Sequence, residues 1–217
     1  MKTAQLNWTK IMAILCIITC ISDFIAVFVL GSRYAGYDQL KDTMSSLGTS
    51  ISPVSNIISI WWICIGIIFI GFGIFFGKVF NDNSNAIKLG SVLIILYGWG
   101  EGIGSGLFKA DRVEGRMTDS FMMHSLAGGI GVIAALLLPF ILRKAIVTQR
   151  KYLFHIFSWV VFVFGLITTI LFTFRFSSDQ NNFISLYKGL WQRLFLLNLY
   201  VYFIALSLIM YGKENQF

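Results

Sequence analysis

Six runs of about 20 predominantly apolar residues divide this chain, each long enough to cross a bilayer as a helix at about 1.5 Å of rise per residue. Their approximate limits are 8–31, 53–77, 86–108, 120–142, 152–174 and 187–211. The runs are continuous rather than alternating, so they read as helices and not as strands of a barrel. Hydrophobic residues make up 57% of the 217 positions and charged residues only 12%. A soluble core grows more slowly than its chain and cannot hide that much apolar surface. Little sequence is left between the runs, so the expectation is an all-α polytopic bundle of six transmembrane helices forming one domain over 1–217. Lys2 and Lys10 flank the first run as in a signal peptide. That run is too long for such a leader, and no A-x-A-like site follows it, so it reads as an uncleaved span.

The net charge of +7 finds its explanation in loop topology, and no nucleic-acid partner is expected. With the N-terminus inside, the inner segments carry Lys2, Lys10, Lys78, Lys88, Arg143, Lys144, Arg150, Lys151 and Lys213. The outer segments carry Arg33, Lys41, Lys109, Arg112, Arg116, Arg175 and Lys188. The bias is small, but Arg143, Lys144, Arg150 and Lys151 form a cluster without an acid. It predicts both termini on the cytoplasmic side of a cell membrane and a contact with anionic headgroups. Membrane lipids are thus the first expected partners. Cys16, Cys20 and Cys64 all lie inside apolar runs and read as small packed hydrophobes, with no disulfide or metal framework. Ser52-Pro53 has the form of an N-cap followed by proline at the first helical position, which starts the second span there. The polar stretch 81–85 is a turn between the second and third spans.

The third run contains GWGEGIGSG, residues 98–106. On a helix Gly98, Gly102 and Gly106 drift along one side, and Gly100 and Gly104 lie on the other. Between them sits a face carrying Tyr97, Glu101, Ser105 and Phe108. Small residues let helices approach closely in lipid, so this helix is expected to be wedged on both flanks. A kink or ligand passage beside Glu101 is the sharper alternative. The fourth run opens SFMMHSLAGGIG, where His124, Gly128, Gly131 and Ala135 form a similar ridge.

Ionisable groups inside spans are costly and mark function by default. Asp23, Glu101, His124 and Arg193 all fall roughly 6–12 Å below the same membrane surface, from the helical rise. That surface also carries the first, third and fifth connections. Two accounts stand beside each other. One is a buried network in which Arg193 neutralises Glu101 or Asp23. The other is a polar pocket at the outer face, with Glu101 and His124 as candidate catalytic residues handling protons and Arg193 gripping an anionic head. Ser45 or Ser46 as a nucleophile lacks the G-x-S-x-G context. No metal site is expected, because His124 and His155 lie a bilayer apart. Asp23, Glu101, Asp38 and Asp42 have no spacing that defines a cation site. Nothing in the sequence specifies a cofactor.

Between the first two spans lies RYAGYDQLKDTMSSLG, residues 33–48. Taken as a helix, 38–48 places Asp38, Asp42 and Ser45 on one side and Leu40, Met44 and Leu47 on the other. It therefore reads as a short interfacial amphipathic helix, roofing the charges below it. This stretch resembles the signature of a prokaryotic six-span family catalogued as a domain of unknown function, number nine-nine-eight. Tyr34, Gly36, Tyr37, Ser45, Leu47 and Gly48 match that family's aromatic-Pro-Gly-Tyr and Ser-x-Leu-Gly pattern, with Ala35 in place of proline. GLFKAD, ending at Asp111, is similar to the family's third-span terminus, with Lys109 in place of a second proline. His124 and GLWQR, with Gly189, Trp191 and Arg193, fit its later motifs. The resemblance implies a six-span fold and a set of motif residues, but no activity. The candidate substrate-binding residues are Arg193, Asp38, Asp42, Ser45, Tyr37, Asp111 and Asp23. A lipid-like or small amphiphilic ligand is the leading expectation. A small proton-coupled transporter and a non-catalytic assembly subunit are the alternatives, and the oligomeric state stays open.

Overall fold

The computed structural model describes residues 7–80, 84–146, 151–173 and 182–213. Lys2, Arg150, Arg175 and most of the 81–85 turn lie outside them. Among the described residues, six helices are long and apolar enough to cross a membrane: α1 (Trp8–Gly31), α2 (Ser55–Val79), α3 (Asn85–Leu107), α4 (Asp119–Leu142), α5 (Lys151–Thr173) and α6 (Lys188–Lys213). Each turns an apolar face to lipid and another inward. On α1 the outward series is Ile14, Ile18, Ile21 and Ile25, and the buried series is Ala13, Cys16, Cys20, Asp23 and Val27. Neighbours in sequence are neighbours in space, and α6 closes back on α1, so the helices form a ring. Its sparsest seam is α4 against α5. Phe69, Phe72, Phe76, Tyr97 and Phe203 stack through the middle.

α2 begins two residues later than Ser52-Pro53 suggests. Ser52 accepts the Ser55 N–H through its carbonyl at 3.2 Å, and its hydroxyl accepts from the Val54 N–H at 3.4 Å. The pair builds the turn that leads into the helix rather than its cap.

α3 has the wedged geometry that its glycines predict. A methyl at Gly98 or Gly106 would meet the Gly66 or Ser59 carbonyl of α2 at 2.6 Å. Gly100 and Gly104 press instead on Ala127 of α4. Within this clamp the helix changes hydrogen-bond pattern, and Gly98–Gly104 is π-helix. Such widened turns recur at functional sites. Without side chains on alternate positions, little resists the wider turn.

The short helix expected between α1 and α2 is present, but confined to a 3-10 turn at Met44–Gly48 after an extended Thr43. Residues 38–43 make only a single turn, capped by Asp38 with its carbonyl accepting the Asp42 N–H at 2.8 Å, before the chain runs extended at Thr43. Asp38 Oδ1 accepts from Leu40 at 2.9 Å and Lys41 at 3.3 Å, and Asp42 Oδ2 accepts from Asp38 at 2.8 Å. The Leu40 and Lys41 carbonyls in turn accept from the α6 N–H groups of Leu190 and Gly189, at 2.7 and 3.2 Å. The connection after α3 holds a hairpin, Arg112–Val113 against Arg116–Met117. Its two-residue turn is Glu114-Gly115, both at positive φ as a type I′ turn requires.

Candidate functional site

On the membrane face that carries the connections after α1, α3 and α5, the ring encloses a chamber of about 430 Å³. Ile65, Phe69 and Tyr97 form its apolar floor, and Met44 and Ser45 of the first connection form its roof. All six helices contribute to its wall. On α4 and α5 the lining continues to Gly129, Ile133 and Phe172. Ile133 is 59% exposed on the bundle surface, so the chamber reaches the lipid side along the sparse α4–α5 seam.

Of the residues singled out in the sequence, the structure brings Asp23, Glu101, His124 and Ser45 together on this chamber. Asp23 is 2% exposed. Its two oxygens accept from Trp61 Nε1 at 2.9 Å and the Tyr200 hydroxyl at 2.6 Å. Glu101 projects from the π segment into a slot made by α4. A methyl at Gly131 would lie 2.8 Å from Glu101 Cγ, and one at Gly128 would lie 3.6 Å from its Oε1. His124 Nδ1 lies 2.9 Å from the Phe108 carbonyl. A carbonyl only accepts, so Nδ1 carries a proton and Nε2 is the acceptor in the neutral ring. The Ser45 hydroxyl is 2.9 Å from that of Thr43.

Arg193 stands apart from these. It is 5% exposed and does not line the chamber, and it pairs with neither Glu101 nor Asp23. Its Nη1 donates to the carbonyls of Asp42 at 3.0 Å and Gly189 at 3.1 Å. Its Nη2 donates to Tyr37 Oη at 2.6 Å and Gln39 Oε1 at 2.8 Å. The guanidinium thereby clamps the first connection onto α6, with Tyr37 and Asp42 as its partners. Burial pushes the Tyr37 hydroxyl up from its usual range, opposed by the adjacent Arg193. Asp38 lies half-exposed on the first connection and does not line the chamber; the Leu40 N–H holds its carboxyl below the usual range. Asp111 sits on the loop surface and staples the connections after α1 and α3, accepting from Ser50 N at 2.7 Å and Ser50 Oγ at 2.6 Å.

Several participants were not singled out in the sequence. Trp61 and Tyr200 satisfy Asp23, and Gln39 completes the clamp. Gln192 lines the chamber, and its Oε1 accepts from Met44 N at 2.8 Å to hold the roof. Lys109 Nζ donates to Ser55 Oγ at 2.6 Å and Ser59 Oγ at 2.9 Å, fastening the end of α3 to α2. Gln192 is legible as a second polar residue beside Arg193 within an apolar run; the others look like ordinary interfacial residues.

Fold and site define a polytopic membrane protein of six helices with a roofed, polar chamber sunk into one face. The chain belongs to the family described as Protein of unknown function (DUF998), which matches residues 17–209, from within α1 into α6. No curated protein and no solved structure matches it.

Proposed function

We propose that this protein binds an amphiphile drawn from the bilayer, holding its polar end in the chamber and its apolar chain along the α4–α5 seam. The observation that carries the reading is the join between a polar interior and a lipid-facing lip, from Glu101 and His124 out to Gly129 and Ile133. Pockets that combine apolar walls with a few convergent polar groups are the usual form of small-ligand sites. In the orientation that the basic cluster favours, the chamber faces the outer leaflet. Glu101 and His124 are the groups placed to move a proton if the ligand is modified there. The aromatic floor and the stack beneath it favour a site open to one face over a carrier's through-path.

The test uses Gly129, where an added Cβ meets no atom within 4 Å. Gly129→Trp is expected to fill the mouth and remove an amphiphile that native mass spectrometry finds on the wild type, with thermal unfolding measured alongside to show that the variant is folded. Glu101→Gln and His124→Ala should weaken its retention without loss of expression. A wild-type protein that carries no bound amphiphile from any native membrane extract sinks the reading.

A further inference from the structure

The carboxyls of the chamber, Asp23 and Glu101, face no cationic side chain among the described lining residues. Among the described residues, the Glu101 carboxyl has no hydrogen-bond or ion-pair partner, although it lines the cavity and Gly128 and Gly131 leave it a slot. Asp23 is held by two neutral donors, Trp61 and Tyr200, and by no cation. His124 directs Nδ1 to Phe108, leaving Nε2 as an acceptor. No lysine or arginine is among the described lining residues, and Arg193 is committed to the roof. The Gln192 amide nitrogen, the Trp62 indole and the Ser45, Tyr97, Ser125, Thr169 and Thr173 hydroxyls can donate, and Ser105 already donates to the Gly100 carbonyl at 3.5 Å, but none of them carries a charge. Thr169 Oγ1 is buried without a partner.

A charged carboxyl in a membrane interior is costly unless paired, and an anionic head placed here would face two carboxyls with no counter-charge. An ammonium supplies the missing charge together with several N–H donors, and hydrogen bonds to charged groups are the stronger kind. We infer that the chamber selects amphiphiles with a cationic amine head, Glu101 being the counter-ion and His124 Nε2 and the lining hydroxyls receiving the remaining donors. The inference rests on the amphiphile reading above and names its ligand class. It assigns the anion-gripping role to no residue of the chamber, because Arg193, the one deeply buried arginine among the described residues, is engaged by the first connection and Gly189 except at Nε.

The experiment compares three photoreactive probes of equal chain length, an alkylammonium, an alkanol and an alkanoate, on the full chain in nanodiscs. Cross-linked peptides are read by mass spectrometry. The ammonium probe is expected to label the peptides around Gly129–Ile133 and Phe172 about 10- to 100-fold more than the alkanoate, the range that one or two charge-assisted bonds provide. Glu101→Gln should reduce that preference to within about threefold, the residue left by neutral hydrogen bonds. Excess ethylammonium, which has the head without the chain, should leave the labelling in place. Equal labelling by all three probes, or a preference for the alkanoate, overturns the amine selectivity and leaves the amphiphile reading standing. Labelling of the chamber by none of them overturns both. A preference that survives in folded Glu101→Gln overturns the counter-ion role, and displacement by ethylammonium shows a soluble amine to be the ligand. The three-probe comparison needs only wild-type protein, so a poorly folding variant does not remove the test.

Discussion

Arg193 directs three N–H bonds to the first connection and a fourth to the Gly189 carbonyl of its own helix, and the missing side chain of Gly189 makes that approach possible. A Cβ at residue 189 would collide with the Asp42 carbonyl and come within 2.9 Å of Arg193 Nη1. Gly189→Ala is therefore expected to lower stability by about 1–3 kcal/mol through overpacking. Arg193→Lys keeps the charge but cannot span Asp42, Gly189, Tyr37 and Gln39 together, and should cost about 2–3 kcal/mol. Thermal unfolding measures both, and faster thiol labelling of a Ser45→Cys reporter shows that the roof has lifted. Asp38 adds a pH dependence. Its carboxyl is held below the ordinary range by backbone N–H groups, so the order it imposes is present above the unfolded aspartate range and is lost as pH falls through the lowered folded value. Hydrogen exchange at Leu40 and Lys41 should rise, after correction for intrinsic rates, as pH falls through that window. In Asp38→Asn this acid-side change should be absent.

Among the elements, α3 carries the most information. Alternate glycines from 98 to 106 announce a helix wedged on two flanks, and both flanks are where helical spacing puts them. The π segment was not legible, because glycine only permits the wider turn. Contacts from α2 and α4 accompany it, and those partners lie outside the motif. Two glycines of contrasting surroundings test the account. Gly102→Ala pushes a methyl onto the Gly66 backbone and should cost about 1–3 kcal/mol. Gly129→Ala enters open space and should stay within about 0.5 kcal/mol of wild type. Similar losses from both variants in thermal unfolding would count against the close-packing account. The first connection shows the opposite case, in which a regular pattern misled. Asp38, Asp42 and Ser45 share a side of an ideal helix, yet the chain makes one turn after Asp38, runs extended at Thr43 and gives the Leu40 and Lys41 carbonyls to α6.

At the scale of the whole molecule, the ring places polar groups on one face and an aromatic stack beneath them. A cysteine at Ser45 or Ser125 should react with a membrane-impermeant thiol reagent from one side only, whereas one at Phe72 should react from neither. Two-sided labelling at any of these positions would restore the carrier alternative. By itself the sequence determined the number of spans, the double-flanked packing of α3 and the placement of Asp23, Glu101 and His124 toward one end of the bundle. These follow from hydrophobic run length, small-residue spacing and a constant helical rise, all local quantities read against a bilayer of nearly fixed thickness. Arg193 lies closer to the first connection than Asp23, which meets Tyr200 further along α6. Only the tertiary structure decided the pairings. Asp23 meets Tyr200 across 177 residues and Arg193 meets Tyr37 across 156, so the arginine closes the roof and leaves the carboxyls of the chamber without a cation among the described residues. Depth is a property of one helix, whereas a partner is a property of the ring, set by how each helix is rotated against its neighbours.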